Sequence, residues 1–243
     1  MTLVMTDPTH INTSWTRIPL RAPGEEIDAF LAAPSSPARG SLVMLQETFG
    51  VNEAMRAKAC DFASAGFAVI VPDLFWRLKR RVDLGYGEDE RKEGFALMQK
   101  FDQAAGAADI RDVIAWLRRR NGDKVALVGF CLGGRMAVLA AAGNADVSAV
   151  ASFYGVRLDL CLDQIRALKA PFQFHVGDRD AHVPAEHVNA VAAIASGLPS
   201  ADVFIYPNAQ HGFYNRQRTE VYNAEAAALS RSRALALLTQ AAA

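Results

Sequence analysis

The chain has 243 residues, is 51% hydrophobic, and sets 26 Lys plus Arg against 26 Asp plus Glu, for a formal charge of zero. That length and apolar content suit a single large core, and without a basic surplus neither nucleic acid nor an anionic membrane is expected as a partner. The three cysteines, Cys60, Cys131 and Cys161, are too scattered for a disulfide framework or a zinc knuckle. No stretch reaches the ~18 apolar residues of a membrane span, and the first residues do not read as a signal peptide, so a cytoplasmic protein is expected.

Residues 1–15 carry no periodic pattern and are expected to form a loose arm, with one domain over 16–243. Arg17 to Leu20 and Ile27 to Ala33 read as an antiparallel edge hairpin around Ala22-Pro23-Gly24-Glu25. Ser41 to Gln46 reads as a buried strand running into Glu47-Thr48-Phe49-Gly50-Val51-Asn52, where Asn52 is placed to cap a helix through Ser64. The next strand, Phe67 to Val71, ends in Pro72-Asp73-Leu74-Phe75-Trp76-Arg77, and the basic, glycine-containing stretch 78–88 reads as an excursion over the sheet. Helices are predicted over 88–101 and 103–120, the second closed by Asn121-Gly122. Beyond the segment around Cys131, strands are predicted over 147–154, 171–176 and 202–206, a helix over 184–196, and an alanine-rich helix from near Glu220. Alternating strands and helices with short loops imply an α/β fold, with a mostly parallel central sheet and helices on both faces.

Lys124-Val-Ala-Leu-Val128 is a strand pattern and Met136 to Ala142 a helix pattern, so the chain must turn sharply between Gly129 and Gly134. Gly129-Phe130-Cys131-Leu132-Gly133 is the nucleophile elbow G-x-S-x-G with sulfur in place of oxygen. A strand reversing directly into a helix leaves no room for a Cβ at the flanks, and it exposes the tip residue at a helix N-terminus, where a thiolate is favoured.

Candidate groups collect at the carboxyl ends of predicted strands: Glu47, Arg77, Cys131, Tyr154, Asp180 and His211. The chain order nucleophile, acid, His is that of the α/β-hydrolase fold. His211 is placed to take the thiol proton and Asp180 to orient the ring, with Asp178 as a competitor for that second role. Backbone N–H groups of Leu132 and Thr48 are the expected oxyanion hole. His182-Val-Pro-Ala-Glu186-His187 has the wrong spacing for a metal site, and His175 inside a strand reads as a core residue. No metal or cofactor is expected.

Taken together, Gln46-Glu47-x-Phe49-Gly50, Pro72-Asp73-Leu74-Phe75-x-Arg77, the Cys131 elbow, Phe153-Tyr154-Gly155, Gly177-x-x-Asp180-x-x-Val183-Pro184 and His211-Gly212-Phe213 resemble the dienelactone hydrolase family (carboxymethylenebutenolidases). The resemblance runs from about Arg17 to the C-terminal helix. It implies a Cys-His-Asp triad of Cys131, His211 and Asp180, with Glu47 beside the thiol as a carboxylate that modulates its ionisation. It also implies a substrate site containing Phe49 and Tyr154, with Arg77 as one of two arginines that hold a substrate carboxylate. Where the second arginine is expected the chain has Asn215, followed by Arg216. Either Arg216 serves through a shifted loop, or the pocket takes a less anionic substrate. His182 also stands where the family has an aromatic residue. The expected activity is therefore hydrolysis of a small lactone or ester by a monomer. Two alternatives stay open: a general carboxylesterase or thioesterase, and a non-catalytic protein using Cys131 as a reactive thiol.

Overall fold

A computed structural model of the chain describes residues 10–242. Eight strands form one sheet, β1 (Ile11–Pro19), β2 (Glu26–Pro34), β3 (Ser41–Leu45), β4 (Ala68–Pro72), β5 (Val125–Phe130), β6 (Val147–Phe153), β7 (Phe172–Gly177) and β8 (Ala201–Tyr206), in the order β1-β2-β4-β3-β5-β6-β7-β8. The hairpin β1–β2 and the β2–β4 pair are antiparallel and the other pairs are parallel. Every residue of β3 and β5 is buried, because helices cover both faces of the sheet centre.

Alternate residues of the strands feed two cores. Helices α1 (Glu53–Ser64) and α7 (Ala224–Ala242) pack with Leu42, Met44 and Val128 on one face. On the other, α3 (Gln103–Asn121), α4 (Leu132–Ala141) and α6 (Ala185–Ala195) pack with Val43, Leu45 and Leu127. Between β4 and α3, the excursion carries α2 (Glu88–Lys100) across the carboxyl ends of the strands. Asn52 caps α1 by accepting a hydrogen bond from the Met55 N–H at 3.1 Å, and Gly122 closes α3 in the left-handed conformation, φ 80°.

The structure departs from the sequence reading in three places. β1 starts at Ile11, well before Arg17, and pairs with β2 along its whole length, Ile11 with Pro34 through Pro19 with Glu26. Its first half, Asn12-Thr13-Ser14, is an exposed edge without apolar alternation and so gave no strand signal. That ladder takes residues 11–15 out of the expected arm, while residues 1–9 of it lie outside the described residues. A short 3₁₀ turn (Leu158–Leu160) and α5 (Leu162–Arg166), too short for a periodic signal, fill the β6–β7 connection. The last helix begins at Ala224, where the Asn223 side chain accepts from the Ala226 N–H at 3.0 Å, so Glu220 belongs to the preceding loop.

Candidate active site

Only Cys131 separates β5 from α4, and its backbone stands at φ 55°, ψ −114°, a strained conformation for a residue with a side chain. A Cβ on Gly129 would lie 2.0 Å from the Gly133 carbonyl oxygen, and one on Gly133 would lie 2.2 Å from that of Leu45. Both glycines are thus required by backbone contact. The Gly133 N–H donates to the Gln46 carbonyl at 2.9 Å, which docks the start of α4 against the segment carrying Glu47 and Thr48. Leu132 is the first residue of α4, so the helix itself leaves its N–H unpaired. Thr48 is fixed by its hydroxyl, which donates to the Gly94 carbonyl at 2.8 Å.

The loop after β8 brings His211 to the same cavity that Cys131 lines. Its Nδ1 lies 2.8 Å from Asp180 Oδ2 and 3.1 Å from Oδ1. Asp180 is buried and accepts from the N–H groups of His182 at 2.8 Å and Val183 at 3.1 Å, whereas Asp178 is exposed. The geometry therefore gives His211 to Asp180 and leaves Asp178 outside. Burial opposes a charge on the His211 ring, but the sulfur and the Asp180 carboxylate outweigh it and push its pKa up to about 10. His182 packs its ring edgewise on His211 at 4.7 Å, and burial followed by repulsion from His211 holds its pKa below the ordinary value.

Glu47 is buried, and a cluster of donors surrounds it. The Tyr154 hydroxyl donates to Oε1 at 2.8 Å, the Asn215 amide donates to Oε2 at 3.4 Å, and the Lys58 ammonium lies 3.4 Å from Oε1. Burial alone would raise the Glu47 pKa, yet Lys58, the Tyr154 hydroxyl, His211 and Arg218 bring it below the ordinary value. Tyr154, buried beside that carboxylate, is pushed well above its own and stays a donor. Lys58 is absent from the sequence reading. The signal for it is a charge at position 58 on the apolar stripe of α1 formed by Met55, Ala59 and Phe62.

These groups open onto a cleft of about 360 Å³. Glu47, Thr48, Cys131 and His211 line its floor, Phe49, Phe95, Met98 and Val156 its apolar wall, and Arg91, Arg157 and Arg218 its charged rim. Tyr154 stands behind Glu47, fully buried. Arg77 does not reach this cleft: it pairs with Asp109 and with Glu25 at 2.7 Å, and its guanidinium stacks 4.2 Å from the Trp76 ring. Arg216 is also elsewhere, in the wall of a second cavity of about 250 Å³ with Lys58, Asp61 and Arg231. The reason is a tight loop in which the Asn215 N–H donates to Gly212 at 2.8 Å and the Arg218 N–H to Asn215 at 3.0 Å. Asn215 is thereby turned inward and Arg218 set at the rim. There Arg218 Nε and Arg91 Nη2, from separate elements, converge on Glu220 Oε1 at 3.1 and 3.4 Å. Position 91 is one of several charged residues on a polar helix, which is why it did not stand out in the sequence.

Among the described residues no cluster of His, Cys, Asp or Glu is arranged to hold a metal ion, and no helix is long and apolar enough to cross a membrane.

A strand-to-helix elbow, a histidine loop after the last strand and an acid after the strand before it define an α/β-hydrolase. The sequence model of the dienelactone hydrolase family matches residues 27–242, and the chain belongs to that family. The carboxymethylenebutenolidase of Pseudomonas putida is 34% identical over 218 residues, covering 88% of this chain and 92% of that protein. A candidate dienelactone hydrolase from Klebsiella pneumoniae superposes with a TM-score of 0.83 at 29% identity, covering 95% and 99% of the two chains. An esterase from Pyrococcus furiosus shares the fold at a TM-score of 0.70 and 13% identity, covering 97% and 95%. The protein is accordingly a hydrolase of ester or lactone bonds.

Proposed function

We propose that the protein is a cysteine-dependent hydrolase of small carboxylated lactones or esters of the carboxymethylenebutenolide type. The observation that carries this is Cys131, lifted on a strained elbow at the floor of the cleft, which it shares with a His211 ring that Asp180 holds. Cys131 Sγ attacks the ester carbonyl carbon, and the oxygen takes up the negative charge between the Leu132 and Thr48 N–H groups. The carbonyl reforms as the C–O bond breaks, His211 gives its proton to the departing oxygen, and the acyl group stays on sulfur. Water then loses a proton to His211 and attacks the thioester, which releases the acid and restores the thiolate. Arg218 and Arg91 recognise the substrate carboxylate, which takes the place of Glu220 at the rim.

The apolar wall of Phe49, Phe95, Met98 and Val156 favours a second reading in the same class, hydrolysis of uncharged aryl esters. The test is a pair of lactones that differ only in a carboxylate, assayed with wild type and Cys131→Ala. The proposal expects preference for the carboxylated member and no turnover by the variant. Equal turnover of both members favours the second reading, and turnover by Cys131→Ala removes the cysteine mechanism.

A further inference from the structure

Among the described residues Lys58 is the only lysine or arginine that is buried. It sits on the sheet-facing side of α1, where a solvated charge gains nothing and an unpaired one is costly. Its Nζ lies 3.4 Å from Glu47 Oε1 and 5.0 Å from the centre of the Phe130 ring, the residue next to Cys131. The other groups hydrogen-bonded to Glu47, the Tyr154 hydroxyl and the Asn215 amide, are neutral.

We propose that Lys58 is a positioning residue that holds Glu47 as a neutralised carboxylate, so that the Cys131 sulfur can carry its own charge against His211. This rests on the cysteine-nucleophile reading above and adds a second ion pair to it. A carboxylate and a thiolate in one buried site oppose each other, and each needs a cation. His211 faces the sulfur, and Lys58 faces the carboxylate from behind. Burial pulls the Lys58 ammonium below its ordinary pKa, while Glu47 and the Cys131 sulfur draw it back up.

The other charged and titratable groups near the pair do not replace it. Arg218 lies at the rim and engages Glu220, and Tyr86 receives its hydrogen bonds from Asn52 and Asn215. On the far side of Lys58, Arg231 of α7 is taken up by Asp61 of α1 at 2.7 Å, to which Tyr214 also donates, and Arg216 lines the outer cavity. His182 stacks on His211, and Asp180 is occupied by that ring and two backbone N–H groups.

The test is the pH dependence of iodoacetamide alkylation at Cys131, followed by mass spectrometry of its peptide, in wild type, Lys58→Met, Lys58→Arg, Glu47→Gln and the Lys58→Met/Glu47→Gln double variant. Lys58→Met should move the acid limb upward by about one pH unit or more, or split it in two, because sulfur and carboxylate then share one counter-charge. Glu47→Gln should move the limb downward, the double variant should return close to wild type, and Lys58→Arg should stay close to it. Superimposed profiles, a downward move for Lys58→Met, or a double variant no different from Glu47→Gln would overturn the proposal. Should Lys58→Met fail to fold, the comparison of Glu47→Gln with the double variant is sufficient to decide between these outcomes. Alkylation reads the sulfur and not turnover. Hydrolysis by Cys131→Ala therefore defeats the nucleophile assignment, and unmoved profiles defeat the role of Lys58.

Discussion

Replacing Arg218 by Ala tests the proposed recognition of a substrate carboxylate at the rim of the cleft. The Arg218 side chain is 16% exposed, whereas Arg91 is 45% exposed, and both point at the same Glu220 oxygen. A charge-assisted hydrogen bond in a largely buried setting contributes about 1.5–3 kcal/mol, so Arg218→Ala should lower kcat/KM for a carboxylated lactone by about 10- to 150-fold. Solvent screens the half-exposed Arg91, and its removal should cost less than about 1 kcal/mol, a factor of about five at most. Arg77 is tied to Asp109 and Glu25 away from the cleft, so Arg77→Ala should fall equally on charged and neutral substrates. The assay is initial rates on two lactones that differ only in the carboxylate, with the neutral one and the melting temperature as controls for folding. A selective loss in Arg77→Ala, or an equal loss on both substrates in Arg218→Ala, would refute the placement of the anion site.

Other changes probe the frame. Gly133→Ala pushes a Cβ to 2.2 Å from the Leu45 carbonyl oxygen, with backbone on both sides, and should cost about 3 kcal/mol or more in urea unfolding while Cys131→Ala stays near wild type in stability. His175 is fully buried between Phe153 and Phe204, and burial lowers its pKa to about 3. The unfolded chain binds that proton below about pH 6.5 and the folded chain refuses it until about 3, so stability falls as pH drops through this window, by up to about 1.4 kcal/mol per unit. His175→Phe should flatten that slope and shift the acid-unfolding midpoint to lower pH, and an unchanged midpoint would count against it. Cys131→Ser should hydrolyse poorly, because a serine hydroxyl gives up its proton far less readily than a thiol; activity within about tenfold of wild type would contradict that.

Much of the fold was legible because its signals are local. Five buried apolar residues in β3, the Gly129-x-Cys131-x-Gly133 turn and Asn52 before α1 each constrain the chain within a few positions. Cys131, Asp180 and His211 could be named because each follows a strand that the sequence announces. The choice of arginines was not local. Arg77 sits in a suggestive motif yet has nearer anions, while Arg91 and Arg218 reach the cleft only through the path of α2 and the turn at Asn215. Lys58 was visible in principle as a cation on an apolar stripe, but its partner lies eleven positions away on another element. The first half of the edge strand β1 escaped because its order comes from pairing with β2 and not from its own alternation.

At the elbow, backbone meets backbone with no side chain between: Gly129 against Gly133, and Gly133 against the end of β3. Such a seam has no soft filler to yield first, so the reaction centre should not loosen ahead of the sheet, and heat inactivation should track global melting. Redesign of substrate preference is accordingly better aimed at Phe95, Met98 and Val156, which border the cleft from helix and loop and can change size without disturbing that junction.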